Sequence, residues 1–319
     1  MSDGGLQWFG HKRKILAHLA ATDAPLEHFA GYNRRMHVRL IAMDIDGTLL
    51  DSRHELPAAN REAIVEAHAR GIEIVLVTGR RFDFAKLISE QLPCELTLVV
   101  NNGALIKSKV GETHLRNLLP RALAREVLAA TIEFRSGAAV VFDRVRERQL
   151  VFERIDWNDP VSGGYCQRNR EFIAECVPLE TSLDEDPIQV MFVGSVARMR
   201  AAHSTLKSMT RVSDFSLALT EYEQRDLSIL DVIQRGCSKG AALAEWARRR
   251  GIRRDEIMAI GDNWNDRDML EFAGLPVLMG NSAAELKLLG WTVTLSNDEA
   301  GVAAAIRAHA FGKQLAVDS

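Results

Sequence analysis

Residues 41–52 read IAMDIDGTLLDS, an apolar run that closes on two aspartates one residue apart, followed at once by Gly-Thr. Two carboxylates at the end of a buried strand repel each other. The pair therefore either shapes a turn and caps a helix, or holds something positively charged. The run that leads into them, VRLIAM (38–43), is short and largely apolar, as expected of a parallel strand covered on both faces.

Outward from this stretch the pattern alternates. PAANREAIVEAHARG (57–71) has Pro57 near a helix start and Gly71 just past its end. IEIVLV (72–77), a helix over 81–92, and ELTLVV (95–100) leading into NNGA follow. Strand and helix in turn predict right-handed crossovers and an α/β fold with a doubly wound, Rossmann-like parallel sheet. The same order returns late in the chain: a helix from Ser238, strand IMAIG, a helix at 265–273, strand PVLM, a helix at 283–289, strand TVTL and a last helix at 299–310.

The stretch between reads differently. It offers a helix near 120–134, paired strands AAVVFDRV and RQLVFERI, strand IQVMFVG, a helix at 197–209, then FSLALTEY and LSILDVI. Runs of strands beside fewer helices predict an α+β module, residues 109–232, inserted into a core domain formed by 36–108 and 233–319. Residues 1–35 read as an N-terminal extension, either disordered or upstream of the start in use, since Met36 stands just before the first strand. A helix there, over 12–21, would be short.

The bulk numbers narrow the function. A chain of 319 residues with 47% hydrophobic side chains can fill about two cores. A formal charge of −3 argues against nucleic acid as a partner. Of the two basic clusters, HKRK (11–14) and RRRGIRR (248–254), the second ends a helical pattern and reads as a solvated face. Four scattered cysteines, Cys94, Cys166, Cys176 and Cys237, have no zinc or redox spacing and read as reduced thiols. With no apolar run near the ~20 residues of a membrane span and no secretory apolar segment, a cytoplasmic protein without a membrane partner is expected. Either a monomer or a homodimer is compatible with the sequence.

Four stretches fall where an open α/β sheet binds ligands, at strand ends or a helix start. They are Asp44-Ile45-Asp46-Gly47-Thr48, Thr78-Gly79-Arg80, Ser238-Lys239-Gly240, and Gly261-Asp262-Asn263-Trp264-Asn265-Asp266. Singly, each has a structural explanation. Lys239 at a helix N-terminus works against the dipole, however, and capping cannot explain Asp262, Asp266 and Asp268 together. As a set they fit phosphoryl transfer: carboxylates at 44 and 262 for Mg²⁺, with Thr78 and Lys239 for the phosphate oxygens.

In this order the motifs resemble the haloacid dehalogenase superfamily, and within it the Cof-like phosphatases. IAMDIDGTLLDS, LVTGR, VVNNGALI, GCSKGAAL and GDNWNDRDMLEFAG carry the resemblance over nearly all of 38–312. It implies that Asp44 is a nucleophile forming an aspartyl-phosphate and that Asp46 is the acid and base. It implies that Thr78, Gly79, Lys239 and Asn265 bind phosphate. It also implies Mg²⁺ held by Asp44, Asp262 and the backbone carbonyl of Asp46, with Asp266 supporting the metal's waters. An acid at position 46 favours phosphate-ester hydrolysis over dehalogenation or ion pumping.

The insertion falls where such enzymes carry a large α/β cap, which contacts the leaving group of a small-molecule phosphate ester. Candidate specificity residues are the DWNDP segment (156–160) and the region around Glu221, Trp157 being as well explained by packing. Two other readings compete. A phosphohexomutase-type phosphotransferase would need clustered cap arginines, for which Arg144, Arg146 and Arg148 at spacing two on a strand are candidates. A non-catalytic phospholigand-binding regulator would be favoured by a missing catalytic position, and none is missing.

Overall fold

The computed structural model describes residues 37–311. The expectations for residues 1–35, with the helix over 12–21, lie outside them. β1 (Leu40–Met43), β2 (Glu73–Val77) and β3 (Thr97–Val100) are parallel neighbours. Side chains alternate across a strand, and here both faces are covered. Ile41, Met43, Ile74 and Leu76 pack with the helices Ala58–Ala69 and Gly301–His309. Leu40, Ala42, Val75 and Val77 pack with Lys239–Arg250 and Arg267–Phe272. That double cover is why these strands, after Glu73 and Thr97 at the starts of β2 and β3, are apolar at successive positions rather than at every second one.

β12 (Ile257–Gly261), β13 (Leu275–Leu278) and β14 (Thr292–Val293) extend the sheet on the other side of β1, again in parallel. The chain thus builds the sheet outward from β1 in one direction and from β12 in the other. Such a reversal opens a crevice outside the carboxyl ends of the two strands. The sheet has two more strands than the parallel set, β4 (Leu105–Ser108) and β5 (Thr113–Arg116), both antiparallel, for an order β14-β13-β12-β1-β2-β3-β4-β5. Residues 109–116, expected in the insertion, therefore form a turn and strand of this first sheet. Gly111, at φ +99°, supplies the positive φ that the β4–β5 turn requires.

A second sheet runs in the order β10-β11-β9-β6-β7-β8. Its strands are β6 (Ala138–Val141), β7 (Leu150–Phe152), β8 (Ile173–Glu175), β9 (Gln189–Gly194), β10 (Phe215–Tyr222) and β11 (Leu227–Gln234). Val140, Val190, Phe192, Leu230 and Val232 face the helices Arg121–Ala130 and Val196–Lys207. Val141, Met191 and Val193, on the opposite face, join the apolar cluster of the first sheet. The side of the second sheet opposite those two helices is thereby turned toward the crevice.

The pair β6–β7 is shorter than the sequence suggests. Residues 142–149 are not strand, and Arg146 and Arg148 have φ of +62° and +57°. Alternation fails there, so Arg144, Arg146 and Arg148 do not share a strand face. Arg144 pairs with Asp184 and Glu185, and Arg146 with Glu171. All four cysteines are free. Among the described residues no helix is long and apolar enough to cross a membrane.

Candidate active site

The opening pair of aspartates sits where β1 and β12 part. The Asp44 N–H donates to Ile260 O at 3.1 Å, the last rung before both strands release their ends into the crevice. The chain then turns sharply over Ile45–Leu49, with Gly47 at φ +81°. A Cβ on Gly47 would lie 2.4 Å from Asp262 Oδ2, so glycine is required both for the backbone and for the close approach. Thr48 Oγ1 fixes the other Asp262 oxygen with a hydrogen bond of 2.9 Å.

Asp44, Asp262 and Asp266 each place a carboxylate oxygen within 4.8 Å of the others. Lys239 stands among them at the start of its helix, where Ser238 caps by accepting from the Ala241 N–H at 3.1 Å. The buried Lys239 ammonium donates to Asp44 Oδ1 and Asp266 Oδ1, each at 2.6 Å. The second Asp266 oxygen accepts from the N–H groups of Asp262 and Asn263, at 3.0 and 3.1 Å. Protein groups therefore orient both Asp266 oxygens.

Three carboxylates against one ammonium leave excess negative charge in a buried space. Burial pushes Asp44 up to about 7, against the pull of Lys239 and with the push of Asp266 and Asp46. Burial, then Asp266 and Asp44, raise Asp262 as well. Burial alone would lower Lys239, but Asp266 and Asp44 outweigh it and keep the ammonium charged. A cluster of hard oxygen donors whose members resist ionising together fits a divalent cation such as Mg²⁺.

Asp46 stands apart from that trio. Arg80 grips it with a fork, Nε to Oδ2 at 2.7 Å and Nη2 to Oδ1 at 2.5 Å. His54 Nδ1 lies 4.0 Å from the same carboxylate, and its other ring nitrogen meets Arg225 Nη2 at 3.0 Å. Thr78 is buried at the end of β2, its hydroxyl accepting from the Arg80 N–H at 3.1 Å. A Cβ on Gly79 would come within 3.0 Å of Asn102 Oδ1.

A cavity of about 490 Å³ opens over this arrangement, with Asp44, Asp46, Thr78, Gly79 and Asn265 among its lining. Lys239, Asp262 and Asp266 are not part of that lining; they reach it through Asp44. The expected phosphate contact of Lys239 is, in this structure, an ion pair with the nucleophile candidate. None of Arg144, Arg146 and Arg148 lines the cavity.

The second sheet closes the far side, and the region around Glu221 reaches the cavity through that residue's neighbours. Glu221 pairs with Arg200 at 2.8 Å on the helix-covered face, while its neighbours Thr220 and Tyr222 line the cavity. Asp156 and Asp159 of the DWNDP segment line a different cavity, of about 980 Å³. Trp157 packs against the first sheet's apolar cluster with Arg170 over its ring. Thr48, Arg80 and Asn102 lie in the quoted motifs but had no assigned role, and Gln189 and Asp231 were not singled out. Strand alternation was the available signal for the last two, since Gln189 and Asp231 are polar side chains within buried runs.

Residues 41–306 match the family of haloacid dehalogenase-like hydrolases. The chain is 29% identical over 285 residues to phosphatase YwpJ of Bacillus subtilis, covering 83% of this chain and 98% of the relative. It is 27% identical over 270 residues to the 5-amino-6-(5-phospho-D-ribitylamino)uracil phosphatase YcsE of the same organism, covering 85% and 95%. The solved structure of a haloacid dehalogenase-like hydrolase from B. subtilis is similar at a TM-score of 0.72 and 25% identity, over 85% of this chain and 99% of that one. With the switch-point carboxylates, the parallel core sheet and the second sheet above it, the chain belongs to the haloacid dehalogenase-like hydrolases, among their Cof-like members.

Proposed function

We propose that the chain is a Mg²⁺-dependent phosphatase acting on a small phosphorylated metabolite, with Asp44 as nucleophile and Asp46 as acid and base. One observation carries this reading. Asp44 is a buried carboxylate at the sheet's switch point, with one oxygen on Lys239, beside two further carboxylates and on the lining of the cavity. The relatives named as phosphatases support the same reaction class.

Asp44 and Asp262 would hold Mg²⁺ together with the backbone carbonyl of Asp46. Asp266, whose oxygens already serve Lys239 and two N–H groups, would act on the ion's waters. When bound, the ion supplies the positive charge that lets the clustered carboxylates ionise together and an anionic phosphate approach them. The Asp44 carboxylate attacks phosphorus as the bond to the leaving oxygen breaks, giving an aspartyl-phosphate. Thr78, Gly79 and Asn265 bind the peripheral oxygens, and Lys239 holds Asp44 in line.

Asp46 gives a proton to the leaving oxygen and later takes one from the water that opens the intermediate. The Arg80 fork engages both Asp46 oxygens, so Asp46 has to leave that pair to reach the leaving oxygen. The second sheet and its helices act as the cap that contacts the leaving group. The test is direct: the purified full chain should hydrolyse an aryl phosphate with Mg²⁺, stop with EDTA, and recover when Mg²⁺ is returned. Turnover that persists in EDTA would sink the reading.

A further inference from the structure

At its cap end the same cavity is lined by Arg81 and Asp231, neither of which has an ion pair among the described residues. Arg81 is 7% exposed. Its guanidinium donates to the amide oxygens of Gln149 and Asn169, the latter at 2.5 Å, and lies 4.6 Å from the Phe172 ring centroid. Asp83 makes no ion pair with it but acts on it through space, and Gln149 bridges the two, its amide nitrogen donating to Asp83 Oδ2 at 2.9 Å. Asp231 is 4% exposed, on β11, and accepts from the amides of Gln189 at 2.6 Å and Asn102 at 2.9 Å. Burial pushes its carboxyl up to about 7. Tyr165 is close enough to feel both: burial raises it to about 12, Arg81 pulls it down and Asp231 pushes it up.

Buried charges are normally paired, because neutral amides return only part of the lost hydration. The reaction end of the cavity largely follows this rule, with Lys239 on Asp44 and Asp266, Arg80 on Asp46, and Asp262 left over for a metal. The cap end does not. The counter-charges that would let both groups stay ionised are then supplied by what the cavity binds. A neutral polyol would supply neither of them. A second phosphate would suit Arg81 but face Asp231.

The geometry points to a leaving-group subsite in which Arg81 binds an anionic group and Asp231 a cationic one, so that the preferred substrate is the phosphomonoester of a zwitterionic alcohol, such as a hydroxyl-bearing amino acid. This rests on the phosphatase reading above. The experiment compares kcat/KM of the Mg²⁺-loaded full chain for O-phosphoserine, glycerol 2-phosphate and p-nitrophenyl phosphate. Phosphoserine should exceed glycerol phosphate by at least about tenfold, the scale of one buried charged contact. Arg81→Gln and Asp231→Asn should each shrink that ratio by about tenfold; a purely structural role would lower all three rates and leave the ratio alone. Turnover of the aryl ester with glycerol phosphate equal to or better than phosphoserine overturns the subsite while leaving the phosphatase reading intact. A ratio that survives both substitutions also overturns it. No hydrolysis of any of the three removes both.

Discussion

The two ends of the cavity are built on opposite electrostatic plans. At the reaction end Lys239 and Arg80 are paired to carboxylates within the protein, and the surplus is negative, carried by Asp262 and its neighbours. At the cap end Arg81 and Asp231, one of each sign, have neutral partners and no ion pair among the described residues. A surplus of one sign among hard oxygens suits a metal and a phosphate, which any substrate of the enzyme brings. Unpaired charges of both signs suit only particular leaving groups. On the reading proposed above, reaction class is set by the first sheet and substrate choice by its junction with the second.

The comparison can be broken most severely at the reaction end. Lys239→Met leaves two buried carboxylates without their ammonium, a loss of about 3–5 kcal/mol by the usual cost of breaking a buried pair. Chemical denaturation should show it; a variant as stable as the parent would mean that Asp44 and Asp266 are compensated in some other way. At the cap end the effect is pH-dependent. The Asp231 carboxyl keeps its proton up to about pH 7 in the folded chain, against an ordinary value of 3.8. Between those values the folded state holds a proton that the unfolded state has released, so this group's contribution to stability falls as pH rises, by as much as roughly 4 kcal/mol. Asp231→Asn removes that loss. Its melting temperature relative to the parent should therefore be higher at pH 8 than at pH 5, and an equal difference at both would contradict the unpaired assignment. The smallest effect is expected for Glu221→Gln, which removes a half-exposed pair with Arg200 away from the cavity and should shift stability and turnover by less than about 1 kcal/mol.

These two ends also differ in how well the sequence announces them. The reaction end comes from short contiguous segments, each closing a strand or opening a helix, so Asp44, Asp46, Thr78, Lys239 and Asp262 stand out by local pattern. The strands of the first sheet were equally plain, because double-sided burial leaves unbroken apolar runs. β4 and β5 were not, since LIKS and THLR carry no alternation that separates them from the insertion that follows. The cap end is assembled across long separations: Arg81 meets Gln149 and Asn169 at 68 and 88 positions away, and Asn102 meets Asp231 at 129. No local spacing encodes such a meeting. What was legible there is the face of a strand. Alternation places Thr220 and Tyr222 toward the cavity and Glu221 away from it, and it places Asp231 with Leu227 and Ile229 on the inner side of β11.

The account's central claim is that Asp44 attacks phosphorus. Its most direct test is the turnover of an aryl phosphate by Asp44→Asn in Mg²⁺, with the fold checked by circular dichroism. The substitution keeps the shape and removes a buried negative charge, so the variant should be folded and its kcat should drop by at least about 10³-fold. A folded variant turning over at a near-normal rate would contradict the claim.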